Sequence, residues 1–123
     1  MRFIDSNVIA YSFYDCPQKR RCRELIGQGG LVNTICFVEA FNIIQYEAGR
    51  EHAERAIMAL LKSSLTVVDV DIGLVFEALK RSGRYRRLRF IDLLHYTTAL
   101  LHYCSEIASL DNDFGGLEIP RIT

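Results

Sequence analysis

Short apolar runs alternate with amphipathic stretches along this chain. Arg2 to Ile4 is a brief apolar opening that stops at Asp5, the pattern of a buried first strand. A helix starts at Ser6 or Asn7, and a second spans Pro17 to Ile26, where Pro17 suits a first helical turn and Gly27, Gly29 and Gly30 end it. Leu31 to Asn33 predicts a second strand. Thr34 is the expected N-cap of a helix through Ala48, stopped at Gly49. Ala53, Ile57, Leu60 and Leu61 recur at helical spacing within Glu51 to Lys62. Leu65 to Val70 is rich in β-branched residues and predicts a third strand. Ile72 to Arg81 is amphipathic and ends before Gly83. Phe90 to Tyr103 is a long helix, Glu106 to Leu110 a fourth strand, and Ile119 to Ile122 a fifth.

Strands that alternate with helices imply a parallel, helix-covered sheet, an α/β layer sandwich without repeats or linkers. The expected organisation is one domain over residues 1–123. Half of the residues are hydrophobic and 24% are charged, which excludes disordered, collagen-like and disulfide-scaffold classes. No apolar run approaches the roughly 18 residues of a membrane span. No charged segment followed by an apolar one opens the chain, so no signal peptide is expected. Cys16, Cys22, Cys36 and Cys104 form no CxxC pair and no zinc spacing. They are expected to be reduced thiols of a cytoplasmic protein.

Fifteen basic residues balance fifteen acidic ones, so no global field points to nucleic acid or membrane. The distribution is uneven. Lys80, Arg81, Arg84, Arg86, Arg87 and Arg89 put six positive charges into ten residues, and Lys19, Arg20, Arg21 and Arg23 add four. Such a run suits the C-terminal end of a helix, or it contacts phosphates if a site lies beside it.

The acids carry the chemistry. Asp5 is the only charge between Arg2 and Asp15, Glu39 the only one between Glu24 and Glu47, and Asp92 the only carboxylate between Glu77 and Glu106. Burying a lone carboxylate is costly unless it is paired or binds a metal. Asp111 and Asp113 follow the fourth strand. In the expected fold Asp5 follows strand one and Asp111 strand four, while Glu39 and Asp92 lie in the first turns of helices. All four therefore belong to the carboxyl edge of the sheet, where α/β proteins bind ligands. Converging carboxylates call for a hard divalent cation, Mg²⁺ or Mn²⁺, which suits phosphodiester hydrolysis. His95 and His102, seven residues apart, are expected to be core or surface histidines, and Tyr11, Phe13 and Tyr14 to pack rather than stack on bases.

These residues resemble the PIN-domain nucleases, especially the single-domain VapC-type toxins of toxin–antitoxin pairs. Phe3-Ile4-Asp5-Ser6-Asn7 looks like the first family motif, Val38-Glu39-Ala40 like the second acid, Phe90-Ile91-Asp92-Leu93-Leu94-His95 like the third motif, and Ser109-Leu110-Asp111-Asn112-Asp113-Phe114 like the last. The match covers essentially the whole chain. It implies a three-layer α/β/α sandwich with a Rossmann-like sheet of order 3-2-1-4-5. It further implies a Mg²⁺- or Mn²⁺-dependent endoribonuclease leaving 5′-phosphate and 3′-hydroxyl ends, a homodimer, an RNA substrate and an antitoxin partner. Carried over, Asp5, Glu39, Asp92 and Asp111 hold the metal and Asp113 assists. Ser6 and Ser109 orient carboxylates, and Asn7 braces the first loop. Ser109 stands where Thr is more usual. The arginine-rich stretch before Asp92 departs from the family pattern, and Arg84, Arg86, Arg87 and Arg89 are the expected RNA contacts.

Three other readings compete. A receiver-type phosphorylation domain needs paired acids after strand one and a lysine near its end, but Asp5 stands alone and Lys80 is the last lysine. A catalytically silent PIN-like binding module is the alternative within the fold. DNA in place of RNA is not separated by residue chemistry.

Overall fold

The computed structural model describes residues Met1–Thr123. Five strands, β1 (Arg2–Ile4), β2 (Leu31–Asn33), β3 (Thr66–Val68), β4 (Glu106–Ala108) and β5 (Arg121–Ile122), form one parallel sheet in the order β3-β2-β1-β4-β5. This is the order that the resemblance implied. Six helices connect them: α1 (Ser6–Tyr11), α2 (Lys19–Gly27), α3 (Thr34–Ala48), α4 (Arg50–Leu61), α5 (Ile72–Arg81) and α6 (Phe90–Leu101). A short 3₁₀ turn, Asn112–Phe114, lies between β4 and β5.

The layers follow from chain direction. The sheet grows from β1 to β2 to β3, then returns across β1 to β4. Right-handed crossovers put α1 to α4 on one face and α5 with α6 on the other. The helix contacts agree: α1 packs on α2 and α3, α3 on α4, and α5 on α6. Central β1 is covered on both sides, and Phe3 and Ile4 are fully buried, as expected of a parallel strand between helical layers. At the edge, Thr66 and Val67 of β3 are exposed. The core is one cluster of 30 buried residues around Phe3, Ile4, Leu25, Val32, Ile44, Leu93, Tyr96, Ile107 and Phe114. No helix is long and apolar enough to cross a membrane.

Several boundaries differ from the sequence pattern for local reasons. Asn33, not Thr34, caps α3, because its Oδ1 accepts the Cys36 N–H at 3.1 Å. The Thr34 hydroxyl instead accepts the Val70 N–H at 3.0 Å. Pro17 lies ahead of α2 in a turn closed by the Lys19 N–H on the Cys16 carbonyl. α6 stops at Leu101 because Tyr103 takes a left-handed φ of 54°. The Tyr103 and Cys104 N–H groups then bond back to Leu100 and Ala99, a Schellman end with tyrosine where glycine is usual.

The arginine-rich segment after α5 is tied to the chain end. The hydroxyls of Tyr85 and Tyr96 donate to one Glu118 oxygen at 2.7 and 2.9 Å, and Arg84 donates to the other at 3.0 Å. The Tyr96 hydroxyl also accepts the buried Ile119 N–H at 3.1 Å. Tyr96→Phe removes both bonds and strands that N–H, so it should destabilise the fold by about 1–3 kcal/mol. A lower urea midpoint at unchanged m-value is the expected result, and an unchanged midpoint contradicts it.

Candidate active site

β1 and β4 are neighbours from which the chain leaves in opposite directions, so a crevice opens beyond their carboxyl ends. Ile4 pairs with Ala108, and each chain then presents polar residues at that edge. Asp5 is the N-cap of α1, 3% exposed, and its backbone N–H bonds the Ala108 carbonyl at 2.9 Å. Oδ1 accepts the Ser6 N–H at 2.7 Å. Oδ2 accepts the Ser109 hydroxyl at 2.6 Å and the Asn7 amide at 3.2 Å. Asn7 Oδ1 accepts the Leu110 N–H, which joins the β1 exit to the β4 exit. Ser6, Asn7 and Ser109 thus touch the carboxylate or loop to which the sequence assigned them. Burial raises the Asp5 carboxyl, with Glu39 adding to it, against the lowering effect of His95, Ser109 and Ser6.

Glu39, one turn inside α3, reaches the same crevice. Its Oε1 accepts from His95 Nε2 at 2.5 Å, and the ligating atoms of Asp5, Glu39 and His95 lie within 4.8 Å of one another. Burial pushes Glu39 up, but His95, the Ser6 hydroxyl and Arg89 outweigh it, and the carboxyl sits below its usual value. Burial opposes a charge on the His95 ring. Cys36, Glu39 and Asp5 prevail and hold it well above the ordinary histidine value. A second proton would land on Nδ1, where the Asn33 amide donates at 3.0 Å, and would displace that bond. Nε2 carries a proton in either state.

Asp92, Asp111 and Asp113 form a second group, their oxygens within 4.8 Å of one another. Asp111 caps the 3₁₀ turn through the Asp113 N–H, and its own N–H bonds Ser109 Oγ at 3.0 Å. Asp92 is 9% exposed, and its Oδ2 is buried without any hydrogen-bond partner. Burial, with repulsion from Asp5, Asp111 and Glu39, raises its carboxyl to about 6 against the opposing pull of His95. A buried carboxylate oxygen with no donor, among four other acids, is a donor set that a divalent cation would fit.

Of the arginines singled out by sequence, Arg89 alone lines this site. With Glu39, Phe90, Ile91 and Asp92 it borders a cavity of about 300 Å³. Arg84 binds Glu118, Arg86 bonds the Gly83 carbonyl, and Arg87 bonds the Asp113 and Gly115 carbonyls. Arg87 therefore anchors the acidic loop. Tyr11, Phe13 and Tyr14 pack against the core.

Sequence reasoning missed two residues at this site. His95 is a core histidine as expected, yet it bonds Glu39. It stands three residues after Asp92, so the two share a helix face, a signal that was available. Asn33, which caps α3 and bonds His95, gave no signal beyond its place at a strand end.

The sequence matches the PIN domain over residues 2–118. The chain belongs to the PIN domain family. No curated protein sequence matches it. Among solved structures it is similar to Mycobacterium tuberculosis VapC20, a sarcin-ricin loop cleaving toxin. That likeness has a TM-score of 0.84 at 14% identity and covers 97% of this chain and 96% of that one. A toxin–antitoxin complex from Klebsiella pneumoniae is similar with a TM-score of 0.74 at 15% identity, over 100% of this chain and 97% of that one. Identities this low speak for the fold. In this PIN domain the acids named from the sequence do lie together, Asp5 and Glu39 beside His95 in one group and Asp92, Asp111 and Asp113 in the other.

The Asp92 carboxyl is raised in the fold and ordinary in the unfolded chain. Its ionisation therefore opposes folding, and metal-free stability falls as pH rises from about 4 through about 6. At about 1.4 kcal/mol per pKa unit the cost is of the order of 2–3 kcal/mol. Asp92→Asn should melt higher than wild type in EDTA at about pH 8, and its melting point should depend less on pH in that window. A variant that melts lower than wild type there contradicts the assignment.

Proposed function

We propose that this PIN domain is a divalent-metal-dependent endoribonuclease and the toxin of a toxin–antitoxin pair. The observation that carries the reading is the convergence of Asp5, Glu39, Asp92, Asp111 and Asp113 at the carboxyl edge, with Asp92 Oδ2 left without a donor. Family membership and the likeness to VapC20, a sarcin-ricin loop cleaving toxin, support the substrate. The likeness to a toxin–antitoxin complex supports the partner. A homodimer and a cytoplasmic location belong to the same reading.

Asp5, Glu39, Asp92 and Asp111 would hold Mg²⁺ or Mn²⁺, and Asp113 would assist. The all-oxygen set suits a hard cation. His95 is not a ligand in this reading, because both ring nitrogens already have partners. When bound, such a cation activates water and offsets charge on the leaving oxygen during in-line displacement. The chain does the rest. Ser6, Asn7 and Ser109 hold the Asp5 carboxylate in one orientation. Arg89 sits at the mouth and meets a phosphate, while Phe90 and Ile91, 40% and 45% exposed, offer apolar surface to a neighbouring base. No side-chain nucleophile is required.

A mixed pool of structured RNAs should be cut with Mn²⁺, and cutting should be lost in EDTA and in Asp5→Asn or Asp92→Asn. Absence of cleavage by a wild type that binds Mn²⁺ favours the silent binding module. Absence of Mn²⁺ binding rejects the acidic-site argument.

Arg89→Ala should weaken RNA binding and reduce the slope of log affinity against log salt by about 1. Filter binding over a salt series measures both, and an unchanged slope removes Arg89 from the interface.

A further inference from the structure

The least expected feature of the site is a line of hydrogen bonds running behind Glu39. It starts at the Thr98 hydroxyl, which donates to the Leu94 carbonyl at 2.7 Å within α6. That donation leaves the Thr98 oxygen as an acceptor, and Asn33 Nδ2 donates to it at 3.1 Å. The same amide nitrogen faces His95 Nδ1 at 3.0 Å. Asn33 Oδ1 is occupied by the Cys36 N–H, so the carboxamide cannot turn over without uncapping α3. Its nitrogen therefore points at His95, beside the Cys36 Sγ at 3.8 Å from the same ring atom, so in the neutral ring Nδ1 accepts and the hydrogen lies on Nε2. That N–H meets Glu39 Oε1 at 2.5 Å.

Asn33, His95, Thr97 and Thr98 are all fully buried, and the His95 ring packs against Phe3 with centroids 5.6 Å apart. A fully buried imidazole clamped by Phe3 and an amide has little freedom to rotate. The line ends on the one site acid that comes from α3.

We propose that His95 is a positioning residue for Glu39. Through its Nε2–H it holds one carboxylate oxygen toward the protein and leaves the other free for the cation, and Asn33 sets the ring nitrogen that does so. This inference rests on the metal-dependent reading above. Outer-shell partners of metal-binding carboxylates and imidazoles are worth about 10–100-fold in affinity or activity.

The test compares wild type, His95→Leu and His95→Gln by Mn²⁺ binding without RNA, by cleavage of the RNA pool, by RNA filter binding and by thermal melting. Folded His95→Leu should bind Mn²⁺ about tenfold or more weaker and cleave correspondingly more slowly, with RNA affinity unchanged. His95→Gln keeps an N–H able to reach Glu39 and should recover most of the Mn²⁺ affinity. A purely structural histidine would not show that recovery. Folded His95→Leu that binds Mn²⁺ within about twofold of wild type overturns the proposal while the metal reading stands. A wild type that binds no Mn²⁺ overturns both. Should His95→Leu not fold, the ¹⁵N resonances of the wild-type ring decide. A proton on Nε2 supports the assignment, and a bare Nε2 with the proton on Nδ1 overturns it.

Discussion

Mutual repulsion among carboxylates that the fold forces together is the constraint on which this structure turns. Asp5 and Asp92 are almost wholly buried, and Glu39, Asp111 and Asp113 are half-buried beside them. Water screens charges so placed less than it does at the open surface, and each acid is held by a different means. Asp5 is encircled by donors from α1 and from the loop after β4. Glu39 leans on His95. Asp111 is used as a cap. Asp92 has one oxygen with no donor at all, and burial, with added repulsion from its acidic neighbours, raises its carboxyl to about 6. Under the metal-dependent reading proposed above, a bound cation would offset this repulsion.

The supports of the site are shared with the supports of the fold. Asp5 caps α1, Asn33 caps α3 and Asp111 caps the 3₁₀ turn. Each cap satisfies backbone donors that would otherwise be orphaned and at the same time fixes part of the crevice. Ser109 joins Asp5 to the Asp111 backbone through one hydroxyl. Arg87, on an irregular segment, bonds the carbonyls of Asp113 and Gly115 and so ties the acidic loop to the turn ahead of α6. Charge density before Asp92 thus serves structure as well as potential. Lys80 and Arg81 pair with Glu77, Arg84 with Glu118, and Arg89 faces the acids.

Much of this was legible without coordinates. Alternation of apolar runs with amphipathic stretches determined an α/β layer sandwich, because a parallel sheet needs helical crossovers and those have a 3.6-residue period. Lone acids in apolar surroundings marked Asp5, Glu39 and Asp92, because an unpaired buried charge is too costly to be incidental. Their place after the fourth strand brought in Asp111 and Asp113, and the family resemblance then brought in Ser6, Asn7 and Ser109.

Tertiary structure decided what local pattern cannot carry. The division of the acids into two groups depends on how α3 and α6 meet across the sheet. Which arginine faces the crevice depends on where an irregular segment docks, and irregular segments have no period. The bond from His95 to Glu39 joins residues 56 positions apart, and the Asn33 contact that sets its ring nitrogen joins residues 62 apart. A histidine in an apolar helix looks the same in sequence whether it fills space or directs a hydrogen bond. Only packing between β2, α3 and α6 distinguishes the two.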